Sequence, residues 1–296
     1  MIGDLTIHLP KVEGVSVEGK KILVRADLEW EGEDSPREKA TIEIVRYLQQ
    51  HGAERTKVIG HRGDISMVDK LGVDVNWDLR ADPREEANNP SLAKELAEDF
   101  DIYINEAFAT SHRKHASVDA LPRLMKTDGK TVCFGPRFIK ELEMLSQVLT
   151  HPGKKILVVG GVKVQDKEEY ANRLQSKFAA VLRGGLLPGV KLRPDGLDLA
   201  DDTIKSYTEQ IAQANVIVAA GVMGKYEDDS AQKGTQEILN AITNCAAYKV
   251  AGGGDLEGAI AKYQLTDKFD WISVGGGAML EFLANESLPG IEALVG

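Results

Sequence analysis

ILVVGGVKVQDK (156–167) is the stretch on which the fold turns. An apolar run of strand length passes straight into Gly160-Gly161 and then into a polar segment of helical character. The same transition recurs in VIVAAGVMG (216–224), KVAGGGD (249–255) and ISVGGGA (272–278). Each reads as a strand (155–159, 215–219, 248–251 and 270–274) whose carboxyl end meets glycine, with helices starting near Gly234, Asp255 and Gly277. The helix after Asp166 is expected to carry Tyr170, Leu174, Phe178 and Leu182 on one face. Strands alternating with helices imply crossovers and a mainly parallel sheet. In such a sheet all carboxyl ends lie along one edge, where ligands bind. Glycine turns bring bare backbone to that edge, and the helix starts behind them aim free N–H groups at it, which suits phosphate oxygens.

The rhythm extends to the first half. Ile22–Arg25 reads as a strand, and Pro36 opens a helix with Thr41, Ile44, Val45 and Leu48 at helical spacing, ended by Gly52. Lys57–Gly60 and Asp101–Asn105 are further strands, and Pro90–Asp99 and Phe138–Leu149 further helices. His151-Pro152-Gly153 marks a junction before the next strand. The fold expected is α/β, with two Rossmann-like lobes, each a mainly parallel sheet flanked by helices.

The 296 residues suit two domains of about 150 residues each. Lys and Arg total 36 against 46 Asp and Glu, a net charge of -10, which speaks against a nucleic-acid or anionic-membrane binder. Two cysteines, Cys133 and Cys245, and no apolar leader in residues 1–20 lead us to expect a cytoplasmic protein without disulfides. No apolar run approaches the roughly 20 residues of a membrane span.

Neither G-x-x-x-x-G-K-[ST] nor a complete G-x-G-x-x-G is present, since Glu257 and Leu280 stand at the last position of the two triple-glycine turns. Lys163 and Lys167, one helical turn apart beside Gly160-Gly161, suit the charge of a phosphoryl group in transfer. Asp255 at a helix start is either an N-cap or an oxygen ligand for magnesium. In the first half Arg25, Arg37, His61, Arg62, Arg80, His112, Arg113, Lys114 and His115 fall near strand ends or turns. NEAFATSHRKHAS (105–117) concentrates four of them in one loop, a trap for a small polyanion. His112 and His115 lack cysteine or carboxylate neighbours in sequence, so no zinc site is expected there.

IYINEAFATSHRKHAS (102–117), VVGGVKVQDK (158–167), VAGGGD (250–255), ISVGGGAMLEFL (272–283) and LPGIEAL (288–294) resemble, in order, the motifs of the phosphoglycerate kinase family. VRADLEW (24–30), GHRGD (60–64), Leu79-Arg80 and GVMGKYE (221–227) are weaker matches. The resemblance implies an N-terminal phosphoglycerate-binding domain (1–137), a hinge helix (138–150) and a C-terminal nucleotide-binding domain (151–296), with the extreme C-terminus returning to the first lobe. It implies a cytoplasmic, monomeric glycolytic enzyme that transfers a phosphoryl group between 1,3-bisphosphoglycerate and ADP, giving 3-phosphoglycerate and ATP, with Mg2+ on the nucleotide.

By motif, Asp27, Arg37, His61, Arg80 and Arg113 would hold the glycerate, and Arg37, Lys163 and Lys167 would be catalytic. Gly160, Gly161, Lys163, Lys167 and Glu227 would bind nucleotide, together with Gly252, Gly253, Gly254, Asp255, Gly275, Gly276 and Gly277, with Asp255 on the metal. Against the family pattern, Glu29 replaces an asparagine, Asp64 an arginine, Ala220 and Val222 the Asn and Pro of N-G-P, and Leu256 a threonine. The stretch between Gly185 and Asn215, part of the adenosine pocket in the family, is cut down. The alternative is a catalytically weak relative that binds ligands or acts as a scaffold.

Overall fold

The computed structural model describes residues 8–30, 35–64 and 66–296. The chain divides into two compact units, Met1–Glu143 with Ser287–Gly296, and Met144–Glu286. The division falls inside the helix expected at Phe138–Leu149, which runs from Pro136 to Thr150.

In the first unit β1 (Lys21–Arg25), β2 (Arg55–Ile59), β3 (Asp74–Asn76), β4 (Ile102–Asn105) and β5 (Thr131–Phe134) form a parallel sheet in the order β3-β2-β1-β4-β5. The crossovers that parallel pairing demands contain α1 (Pro36–Gln50), α2 (Ser66–Leu71), α3 (Pro83–Glu86), α4 (Pro90–Ala97) and α5 (Leu121–Thr127). Pro36 suits the first helical position of α1, because that N–H has no intrahelical partner to lose, and Ala40, Thr41, Ile44, Val45 and Leu48 form its buried face. Ile44, Val45 and Leu48 share a core cluster with Ile22, Val24 and Val58 of the sheet. At the start of α6 (Pro136–Thr150), the Arg137 and Phe138 amides donate to the Glu106 carboxylate at 3.0 and 3.2 Å.

The second unit repeats the plan with β6 (Lys155–Val159), β7 (Ala180–Arg183), β8 (Val216–Ala220), β9 (Tyr248–Gly252) and β10 (Trp271–Ser273), in the order β10-β9-β8-β6-β7. The helices are α7 (Val164–Leu174), α8 (Asp201–Ile211), α9 (Lys233–Asn244), α10 (Gly254–Lys262) and α11 (Gly276–Asn285). α12 (Pro289–Val295) belongs to the first unit, where the Gly290 amide donates to the Ser111 carbonyl at 3.0 Å.

One expected helix is corrected. Leu174 is the last residue of α7, Phe178 is buried beyond it, and Leu182 is a core residue of β7. A step of four residues keeps a side chain on one face of a helix and also on one face of a strand, so the spacing could not separate the two. Strands β3, β5 and β7 had no separate place in the sequence reading.

Both sheets have a switch point, a place where neighbouring strands lead off in opposite directions. In the first it lies between β1 and β4, in the second between β6 and β8. Crevices at the carboxyl ends of such strands are where open α/β sheets bind ligands.

Candidate functional site

At the end of β1 the Arg25 side chain is completely buried. Its Nε donates to Ser117 Oγ at 2.9 Å and its Nη1 to the Ala26 carbonyl at 2.6 Å. Ser117 in turn donates its hydroxyl to Glu85 Oε1 at 2.6 Å and its amide to Glu85 Oε2 at 2.9 Å. Glu85 is itself fully buried. Burial alone would raise its carboxyl; the His61 ring, Arg25 and the two Ser117 donors outweigh burial and hold it below the usual range.

His61 and His115 stack with ring centroids 4.6 Å apart. Their Nδ1 atoms lie 3.7 and 3.9 Å from the same Glu85 oxygen. Burial, then His61, Arg25 and Arg113, lower the His115 imidazole, with Glu85 opposing. The expectation that His115 has no carboxylate neighbour is therefore corrected: Glu85 arrives from α3, outside the loop.

Asp27 braces that loop, accepting from the Ala109 amide at 2.8 Å and from Thr110 Oγ1 at 3.1 Å. Arg37, in the first turn of α1, donates to the Glu29 carbonyl at 2.9 Å, while the Glu29 side chain is exposed. Arg80 is exposed, its Nε 3.5 Å from Glu86 Oε1, and Arg113 and Lys114 are exposed on the loop. Asp64 accepts from the Ser66 amide at 2.9 Å, which holds its carboxyl low. Of the proposed glycerate residues, His61 belongs to the buried network, Asp27 is a buried brace, and Arg37, Arg80 and Arg113 have surface exposure. Glu85, Glu86 and Ser117 were missed, because acids in a one-turn helix and a single serine carry no motif.

In the second unit the strand-end turns pack backbone against backbone. A Cβ on Gly221 would come within 2.1 Å of the Gly160 carbonyl oxygen, and Gly221 has φ +109°. Part of the glycine clustering is thus a packing requirement between the turns after β6 and β8. Gly253 differs: its φ is +108°, and a Cβ there would meet nothing within 4 Å. Only conformation demands glycine at that position on its Cβ side, while its backbone packs against Gly276, where a Cβ would come within 2.9 Å of the Gly253 Cα. Gly252, Gly275 and Gly276 are buried, while Gly254 and Gly277 are exposed at the starts of α10 and α11.

Lys163 is exposed at the start of α7. Lys167, one turn on, donates from Nζ to the Ala220 carbonyl at 3.0 Å, across the switch point from its own strand. Burial pushes its ammonium down to about 8; Asp255 opposes the shift and Lys163 adds to it, so all three charges are within electrostatic reach. Asp255 is exposed in the first turn of α10, and Glu227 is exposed after β8. Two departures from the family pattern have a common cause, since Val222 and Leu256 are both buried in the apolar cluster that also holds Val158, Ile217 and Ile238.

The family model described as phosphoglycerate kinase matches residues 76–190 and 189–286. A phosphoglycerate kinase of Chlorobium limicola is 32% identical over 73% of this chain and 70% of its own length. One of Roseiflexus castenholzii is 28% identical over 96% of this chain and 98% of its own. That alignment spans 392 positions against 296 residues here, so the relative carries segments that this chain lacks. The solved phosphoglycerate kinase of Coxiella burnetii superposes with a TM-score of 0.81 at 23% identity, covering 97% of this chain and 98% of that one. Its likeness bears on the fold, two parallel α/β sheets flanked by helices. With the family model matching well over half of its residues, this chain belongs to the phosphoglycerate kinase family.

Proposed function

We propose that the protein catalyses reversible phosphoryl transfer between 1,3-bisphosphoglycerate and ADP, giving 3-phosphoglycerate and ATP. The observation that carries this reading is the placement of Lys167, anchored at the β6–β8 switch point within reach of Lys163 and Asp255, in a chain of this family. Phosphoryl transfer passes through a loose, in-line state in which positioning and charge neutralisation matter more than base catalysis. Lys167 and Lys163 supply positive charge to the nucleotide phosphates, and the helix starts at Gly254 and Gly276 supply N–H donors.

On the glycerate side Arg37, Arg80 and Arg113 bind the anionic ends, and His61 adds a donor. Asp27 braces the 105–117 loop while its remaining lone pairs accept from a substrate hydroxyl. Asp255 fits Mg2+ by its chemistry: one exposed carboxylate at a phosphate-binding edge matches an ion that takes one or two carboxylates plus phosphate oxygens. The ion when bound offsets charge on the β- and γ-phosphates. Glu227 is assigned to the ribose hydroxyls.

A coupled assay supplied with 3-phosphoglycerate and MgATP tests the reading, with Lys167→Ala as control. Turnover that disappears in the variant supports it. Absence of turnover in the natural chain, with no magnesium-dependent heat on adding ADP, would leave a scaffold.

A further inference from the structure

We propose that His61, Glu85 and His115 form a binding site for a divalent transition ion of the zinc class. The three residues come from the turn after β2, from α3 and from the loop after β4, and each offers one ligand atom, all within 4.8 Å of one another. His61 Nδ1 and His115 Nδ1 stand 3.7 and 3.9 Å from Glu85 Oε1. Zinc bonds of about 2.0–2.2 Å set tetrahedral ligands roughly 3.4 Å apart, so closing the site takes a few tenths of an ångström at each oxygen–nitrogen spacing and a rotation of the stacked rings that turns both Nδ1 lone pairs toward one point.

Both rings are more than nine-tenths buried, and His61 Nδ1, His61 Nε2 and His115 Nδ1 have no partner at hydrogen-bond distance. Buried polar atoms without partners are rare in native proteins, and an ion between them is one resolution. Two imidazoles and a carboxylate suit zinc, whereas magnesium prefers an all-oxygen shell.

The surroundings hold the ligands in place. The Ser117 amide and hydroxyl orient the Glu85 carboxylate, and Glu86 Oε1, 3.7 Å from His61 Nε2, places a second negative charge beside the rings. Hydrogen bonds to a ligating carboxylate from outside the site fix its orientation. Arg25 and Arg113 also face the cluster and Arg80 pairs with Glu86, so three guanidinium charges stand against the carboxylates of Glu85 and Glu86. Attraction by charge alone is therefore weak, which favours an ion that gains from imidazole nitrogen. With the ion in place His61 is withdrawn from the glycerate, so zinc competes with 3-phosphoglycerate. That consequence rests on the function proposed above; ion binding does not.

The test uses the full chain stripped of metal, titrated with ZnCl2 by calorimetry, with zinc-edge X-ray absorption as a direct view of the ligands. We expect one ion per chain with two imidazoles among its scatterers. Ser117→Ala, which removes the hydroxyl donor to Glu85, should weaken uptake by about 10- to 100-fold, the usual cost of losing an outer partner. His115→Gln and Glu85→Gln should weaken it further. No uptake, uptake without imidazole scattering, or uptake unchanged in His115→Gln would each overturn the site. The absorption spectrum of the natural chain decides the matter even where Glu85→Gln does not fold. Zinc held as described but not displaced by 3-phosphoglycerate would support the ion site and remove His61 from the glycerate role.

Discussion

At the ends of β1 and β4 the polar side chains turn inward and hold one another: Arg25, Ser117 and Glu85 form a buried chain with His61 and His115 stacked beside it. At the ends of β6, β8 and β9 the site edge is made of backbone, and Lys163, Asp255 and Glu227 stand exposed on it. One sheet topology thus supports two kinds of site. In the first, geometry is fixed by side chains that depend on each other, so a single change spreads. In the second it is fixed by glycine turns, and each charged side chain can be removed with local effect.

The sharpest way to break this contrast is Glu85→Ala. It leaves the buried Arg25 charge uncompensated and should cost about 3–5 kcal/mol of stability, read by denaturant unfolding. Asp255→Ala, on an exposed site, should stay within about 0.5 kcal/mol and instead lose magnesium-dependent ADP binding. A Glu85 cost near about 1 kcal/mol, that of an ordinary hydrogen bond, would mean that the first site is no more interdependent than the second.

Next in size is Lys167→Ala, which should lower turnover by about a hundredfold or more, as loss of one transition-state donor does, while the melting temperature holds. Arg37→Ala should do the same. Near-normal rates in both variants would leave Lys167 and Arg37 without a catalytic part.

A smaller effect separates the units by pH. Burial pushes the Glu106 carboxyl up to about 8 from an ordinary 4.5, with the Arg137 and Phe138 amides pulling it back. Because the folded state keeps a proton there that the unfolded chain releases, this group's contribution to stability falls as pH rises from 4.5 toward 8. Glu106→Gln cannot titrate, so its melting temperature relative to the natural chain should climb across that window. A constant difference would show that Glu106 folds already ionised.

The smallest expected effect concerns the base. On the expectation that the stretch between Gly185 and Asn215 is cut down, Michaelis constants for MgATP and MgGTP should be comparable; a strong preference for ATP would count against that reading.

Much of the architecture was readable. Strands such as Lys155–Val159 and helices such as Pro36–Gln50 announce themselves through apolar runs, proline starts and glycine ends. The elements without such signals are the short outer strands DVN (74–76), TVCF (131–134) and AVLR (180–183), whose pairing comes from the neighbouring strand more than from their own three or four residues. Of the site, the lysines and glycines were legible because their spacing is local. Glu85 was not, since its partners Ser117, His61 and His115 lie in other segments.

By itself the sequence determined the alternation of strand and helix, the glycines at strand ends and the positions of the exposed cations, all of which depend on periods of two to four residues. Only the tertiary structure decided that one glycine turn must admit the next at Gly160 and Gly221, and that Arg25 and two histidines share a single carboxylate. Those arrangements are set by burial between segments far apart in the chain, where the cost of an unpaired polar group selects partners that no local pattern encodes.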